Sequence, residues 1–235
     1  MSVDAGKNPS SFDAYAGNYE AALAQGLSLS GENRDFFARR RVELLTKRLL
    51  ALNVQPASIM DFGCGDGSST PNLLNIPGAK QILGTDLSAV SIKLAEQRFS
   101  RPNIRFQTLN EHLAESTFDL VFSNGVFHHI PPVERYAAIT KIYNALRPGG
   151  LFALWENNPW NPGTRLVMSR IPFDRDANTL TYRQTNRLLR AGRFEIITTD
   201  FAFYFPRPLA SLRFLETFLT KIPLGAQYLV LGRKT

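Results

Sequence analysis

Ser58-Ile-Met-Asp-Phe-Gly-Cys-Gly-Asp-Gly67 is the stretch on which the reading of this chain turns. The apolar run Ser58 to Phe62 predicts a strand, and glycines at 63 and 65 let the backbone behind it turn tightly and approach a ligand without a Cβ in the way. A helix is expected after the turn. The spacing is G-x-G-x-G, with Gly67 followed by Ser68, and not the G-x-G-x-x-G that seats a pyrophosphate on a helix N-terminus. It favours a cofactor without phosphates over a nicotinamide dinucleotide. Asp86 follows 21 residues after Gly65, at the end of a second predicted strand. A carboxylate at that strand tip can accept hydrogen bonds from both ribose hydroxyls, so the pair predicts a nucleoside site.

Outward from this stretch the pattern alternates. Short apolar runs at Ser58 to Phe62, Gln81 to Thr85, Ile104 to Leu109, Phe118 to Ser123 and Leu151 to Trp155 read as strands. Helices are expected at Asp35 to Leu52, at Ser88 to Phe99 with Ser88 as N-cap, and at Val133 to Leu146. Strands alternating with helices at short intervals indicate an α/β fold with a parallel sheet and crossover helices. The last third breaks the rhythm. It predicts short helices near Arg165 to Ser169 and Thr181 to Ala191, a strand from Phe194, a helix from Leu209 to Lys221 and a closing strand Tyr228 to Leu231. The two late strands suit an antiparallel pair at one sheet edge. We divide this single structural domain into an N-terminal helical cap (1–56), a core (57–155) and a substrate-side insertion with a closing hairpin (156–235).

Composition excludes several classes. The chain has 235 residues with a single cysteine, Cys64, so neither an intramolecular disulfide nor a thiol-rich metal site is available. No secretory signal or run of about 20 apolar residues is visible, and a cytoplasmic protein is expected. The net charge of +7 is unevenly placed, since residues 161–235 carry 12 basic and 5 acidic groups while the rest is nearly balanced. A basic end meets an anionic substrate, a membrane surface or nucleic acid, or is a solvated face.

Residues 58–155 resemble the core of the class I S-adenosylmethionine-dependent methyltransferases. The resemblance is carried by Asp61-Phe-Gly-Cys-Gly-Asp-Gly67, by Gly84-Thr-Asp86, by Phe118-Asp-Leu-Val-Phe-Ser-Asn124 followed by Phe127-His-His-Ile130, and by Leu146-Arg-Pro-Gly-Gly-Leu151. It implies a Rossmann-like seven-stranded sheet, mostly parallel with an antiparallel last strand, helices on both faces, and S-adenosyl-L-methionine across the carboxyl ends of the strands. Carried over by position, Asp61, Gly63 and Gly65 would face the methionine part, Asp86 would hold the ribose and Leu87 would pack on the adenine. Asn110 falls where the family usually has an acid for the adenine amine, with Glu111 as the alternative. Ser123 matches a position whose backbone meets the methionine amine. Tyr15 and Tyr19 resemble aromatics that close over the cofactor, and Arg41 resembles a basic partner for its carboxylate.

Methyl transfer from a sulfonium is an in-line displacement that also needs a proton removed when the acceptor is a hydroxyl. Of three histidines, His128 and His129 follow the fourth strand at the mouth of the inferred site, so His128 is the first candidate base and His129 the second. The alternative is that they only line the pocket or cap the turn at Pro131-Pro132. A metal held by the two histidines and Glu156 is disfavoured, because consecutive side chains rarely converge on one ion, and no metal is expected. Glu156, Asn157 and Trp160 leave the fifth strand at the cofactor end and are candidates for touching substrate. Arg183, Arg187 and Arg190 read as a solvated helix face. The stripe Leu209, Leu212, Leu215, Leu219 and Ile222 reads first as core packing and second as peripheral membrane contact or a grip on a lipid-linked acceptor. The tail from Pro172-Phe-Asp174 to Tyr228 resembles bacterial methyltransferases of glycan or lipid-linked pathways.

The expected function is therefore methylation, at oxygen, of a small-molecule, glycan or lipid-linked acceptor. A non-catalytic S-adenosylmethionine-binding module and an RNA or DNA methyltransferase remain as alternatives. The latter is disfavoured because Ser123-Asn-Gly-Val stands where a base-methylating Asn/Asp-Pro-Pro-Tyr/Phe motif would be.

Overall fold

The computed structural model describes residues 26–235 except 173 and 176. Seven strands form one sheet in the order β3-β2-β1-β4-β5-β7-β6: β1 Ser58–Phe62, β2 Gln81–Asp86, β3 Ile104–Thr108, β4 Phe118–Asn124, β5 Leu146–Asn157, β6 Phe194–Ala202 and β7 Gln227–Lys234. β1 pairs in parallel with β2 on one side and β4 on the other, and β7 lies antiparallel between β5 and β6. The strand order reverses between β1 and β4, which opens a crevice at their carboxyl ends. The glycine turn after β1 and the histidine pair after β4 meet at that crevice.

Helices cover both faces. α1 Arg34–Ala51 starts at Asn33, whose side chain accepts from the Phe36 N–H, and buries Ala38, Arg41, Val42, Leu45 and Leu49 at steps of three and four. With α2 Ala89–Phe99, capped as expected by Ser88, it packs its apolar face on one side of the sheet. Burying Leu45 or Leu49 completely contributes about 1.5–3 kcal/mol each relative to exposure. α3 Arg135–Ala145 and α5 Tyr182–Ala191, the latter opened by a Thr181/Gln184 capping box, cover the other face. α4 Pro162–Arg170 lies between β5 and α5 in the chain.

Two expected elements differ. The segment after the glycine turn is a short 3₁₀ helix, Thr70–Asn75, with Pro71 in its first turn. The expected helix Leu209 to Lys221 is a 3₁₀ segment, Arg207–Leu215, broken at Leu209 and followed by one turn of α6, Glu216–Leu219. Pro206, before the segment, is extended, and Pro208 sits in its first turn. Its stripe is not core, since Leu209, Leu212, Leu215 and Ile222 are exposed. Arg183, Arg187 and Arg190 form an exposed face of α5.

One ring supports the crevice from beneath. A Cβ on Gly84 would stand 2.4 Å from Cδ1 of Phe106, and one on Gly67 would stand 2.9 Å from the same ring. Phe106 therefore fills the space that two glycines leave between β2, β3 and the turn. Gly84→Ala is expected to cost about 1–3 kcal/mol by overpacking, read as a lower midpoint in urea unfolding; an unchanged midpoint would contradict this role for the ring.

Candidate active site

The glycine turn hangs on the tip of β2. The Thr85 carbonyl accepts from the N–H groups of Gly63 and Cys64 at 2.8 and 3.0 Å, and Asp86 Oδ2 accepts from the Gly65 N–H at 2.9 Å. Gly65 has φ +57°, and a Cβ built on it would meet nothing within 4 Å, so the outer side of the turn faces open space. Asp86 Oδ1 accepts from the Ser88 N–H at 2.9 Å. Both carboxylate oxygens are thus oriented by backbone donors.

Beside the turn, Asp66 takes a two-pronged ion pair from Arg34 at 2.9 and 3.1 Å, tying the first turn of α1 to the loop. Burial alone would raise Asp66, but the bonds from Arg34 and Ser68 hold it below the usual carboxylate range. Asp61 is buried, accepts from the Thr70 hydroxyl at 2.7 Å, and is raised to about 6 chiefly by burial and further by the charge of Asp86. Burial also pushes the Cys64 thiol up.

Across the crevice stands a polar cluster. Glu156 is buried on β5, where its Oε1 accepts from the Phe127 N–H at 2.8 Å and its Oε2 meets Nδ1 of His128 at 2.6 Å. Nε2 of His128 lies 3.5 Å and Nε2 of His129 lies 3.2 Å from Asp174 Oδ1. Burial disfavours a charged His128 ring, but the carboxylates of Glu156 and Asp174 overcome it and raise the group to about 10. Burial lowers His129, helped by the charge on its neighbour. Burial would raise Asp174, and the two rings instead hold it at about 2.

A cavity of about 490 Å³ joins these groups, within the usual size of small-molecule sites. Asp61, Gly63, Gly65, His128, His129 and Asn157 line it, and so does Arg41, whose guanidinium bonds Gln227 and stands over the rings of Phe37 and Phe203. Asp86, Leu87, Asn110 and Glu111 gather at the tips of β2 and β3, beside the turn but outside the cavity. There Leu87 and Asn110 are exposed, and Glu111 turns back to accept from Thr108.

Other expected positions fall elsewhere. Glu156 does not line the cavity: its side chain is buried behind His128, so it orients a ring and does not reach toward substrate. Trp160 is a surface residue, edge-on to Tyr182 and beneath the guanidinium of Arg183. The Ser123 hydroxyl is buried without a hydrogen-bond partner among the described residues, and the next residue, Asn124, lines the cavity; the contact expected of Ser123 is made by its backbone and does not depend on that hydroxyl. Tyr15 and Tyr19 lie outside the described residues.

A family model described as a methyltransferase domain matches residues 59–150. A trans-aconitate 2-methyltransferase of Deinococcus radiodurans is 33% identical over 98 residues, which are 42% of this chain and 37% of that protein. A malonyl-[acyl-carrier protein] O-methyltransferase of Halalkalibacterium halodurans is 30% identical over 122 residues, 48% of this chain and 44% of that one. The chain thus spans less than half the length of these curated relatives. The structure of a TehB-like S-adenosylmethionine-dependent methyltransferase from Corynebacterium glutamicum superposes with a TM-score of 0.60 at 21% identity, covering 97% of this chain and 100% of that one. Residues 59–150 match a methyltransferase domain, and the sheet around them has the fold of that S-adenosylmethionine-dependent methyltransferase structure.

S-adenosylmethionine is the cofactor of such domains, and the residues present fit it. The space outside Gly65 would be narrowed by any side chain there, the apolar Leu87 lies exposed beside Asp86, and Asn124, whose buried Oδ1 has no hydrogen-bond partner among the described residues, is one of the residues lining the cavity. In the methyltransferase domain and its flanks, the sequence signals did not single out Arg34, Asn124 or Gln227. Arg34 lies outside any motif, Asn124 only closes the β4 motif, and Gln227 enters through the pairing of β7 with β5 opposite Asn157. Asp174 sits in an insertion without a diagnostic pattern.

The raised Asp61 has a stability consequence. Its folded-state value of about 6 lies above the ordinary 3.8, so the group favours folding at low pH, and that contribution is lost as pH rises through 6. Asp61→Asn is expected to raise unfolding stability at pH 8 by up to about 3 kcal/mol, to bring no gain at pH 4, and to weaken S-adenosylmethionine binding. Urea melts at the two pH values and calorimetric titration check this; no stability gain at pH 8 would contradict the burial cost.

Proposed function

We propose that the protein transfers a methyl group from S-adenosylmethionine to an oxygen of a small-molecule acceptor, a carboxylate or hydroxyl on a partly apolar body. The observation that carries this reading is one cavity running from the glycine turn, past the histidine pair, to an apolar wall formed by Met168, Ile171, Phe203 and Phe205. When bound, the cofactor supplies an electrophilic methyl carbon on a sulfonium. The chain must then place an acceptor oxygen in line with it and exclude water.

Asp86 and Leu87 are proposed to hold the nucleoside, with Asn110 at the adenine edge and Asp61 and the turn at the methionine end. His128 and His129 are proposed to activate the acceptor oxygen. His129 is the ring presented to the cavity, with a side chain 15% exposed against 2% for His128, which Glu156 braces from behind. Asn157 and Arg41, joined through Gln227, are proposed to bound the acceptor's far side. The matched relatives bear names that point to carboxylate-bearing acceptors, trans-aconitate and a malonyl thioester. A glycan or lipid-linked acceptor belongs to the same oxygen-nucleophile class. The lone Cys64, free and buried, accords with a cytoplasmic setting.

Methyl-labelled S-adenosylmethionine incubated with the protein and a fractionated metabolite extract is expected to label an oxygen of a small molecule. With that acceptor, His129→Gln is expected to lower kcat by about 10²–10⁴-fold while S-adenosylmethionine affinity stays within experimental error. Full activity in this variant would contradict the role given to the pair.

A further inference from the structure

We propose that Nε2 of His128, Nε2 of His129 and a carboxylate oxygen of Asp174 form a binding site for a divalent transition-metal ion of the zinc class on the cavity wall. These ligand atoms all lie within 4.8 Å of one another. The two nitrogen-to-oxygen separations, 3.5 and 3.2 Å, match the roughly 3.3–3.4 Å between ligand atoms held tetrahedrally at zinc bond lengths of about 2.0–2.1 Å. Consecutive histidines rarely converge on one point, but the turn after β4 makes these do so. Its His129 N–H bonds the Val126 carbonyl, and the two rings tilt by 52° with centroids 4.1 Å apart.

The third ligand is brought in by the backbone. The Asn178 N–H bonds the His128 carbonyl at 2.9 Å, and Arg135 clasps the Asn178 and Ile130 carbonyls, so the loop carrying Asp174 is tied to the histidine turn. Nε2 of His128 is buried without a hydrogen-bond partner among the described residues. Its other nitrogen meets the buried Glu156 carboxylate at 2.6 Å, itself anchored by the Phe127 N–H. A carboxylate behind a histidine is the arrangement that directs the opposite ring nitrogen at a metal and raises its basicity. Two imidazoles and one carboxylate are a donor set that suits zinc, iron or cobalt and leaves a coordination position open. His128, His129 and Asp174 all line the cavity, so an acceptor oxygen there could take the fourth position and be polarised. This last role rests on the proposed methyl transfer; binding of the ion does not.

The test is titration of chelator-treated full-length protein with Co²⁺, followed by visible absorption, and with Zn²⁺, followed by calorimetry. One ion per chain is expected, in wild type and in Cys64→Ser alike. Asp174→Asn combined with His129→Gln is expected to abolish binding, and Glu156→Gln to weaken it by about 10–100-fold, with circular dichroism and S-adenosylmethionine affinity retained in both. No stoichiometric binding by wild type, equal binding by the Asp174/His129 double variant, or loss of the ion in Cys64→Ser would each overturn the site. Methyl transfer measured on the same chelated samples separates the two readings: transfer without any ion binding sinks the metal site alone, and ion binding without any transfer sinks the methylation reading alone.

Discussion

Two backbone N–H groups donated to one carbonyl, those of Gly63 and Cys64 to Thr85, hold the glycine turn against the tip of β2, and the rest of the site is built from that anchorage. Because the turn is hung from the neighbouring strand, Gly65 can donate to Asp86 and so orient the carboxylate that the nucleoside would meet. Phe106 fills the volume beneath, and Arg34 reaches from α1 to Asp66 above. The helix that carries Phe37 and Arg41 is therefore registered on the turn at one end. Near its other end it is registered on β6 through the paired bonds of Arg48 to Asp200. The cavity is the space these constraints leave.

The opposite wall obeys a different physics. Burying Glu156, His128, Asp174 and His129 together places two carboxylates and two imidazoles in a poorly solvated region, which is costly unless each charge meets a partner. They satisfy one another, with Nε2 of His128 held 3.5 Å from Asp174 Oδ1 and without a hydrogen bond among the described residues. Clusters of this kind weaken a fold more readily than an apolar wall would, and they concentrate where chemistry is done. Their position opposite the glycine turn gives this one a reason to exist.

The sheet, the turn and Asp86 were legible in the sequence because their signals are local. A parallel strand alternates with its crossover helix, and a backbone that must double back at a strand end requires glycine there. The class of the domain followed from the same residues. What was not legible depended on partners distant in the chain. Glu156 lies on the strand end where a substrate contact is reasonable, but the pairing of β5 with β7 and the Phe127 N–H turn it inward behind His128. Asp174 belongs to an insertion whose path is set by the Asn178 to His128 backbone bond, which no pattern announces. The stripe from Leu209 to Ile222 had helical spacing, yet the chain departs from helical geometry at Leu209 and leaves most of the stripe exposed.

The most direct measurement is a crystal structure of the protein with S-adenosylhomocysteine. The account predicts the ribose hydroxyls on the Asp86 carboxylate, the adenine against Leu87 beside Asn110, and the amino-acid end at Asp61 and the glycine turn. The sulfur should point across the cavity toward His129 and Asp174. A nucleoside seated away from Asp86, or a sulfur directed away from the histidine wall, would contradict it.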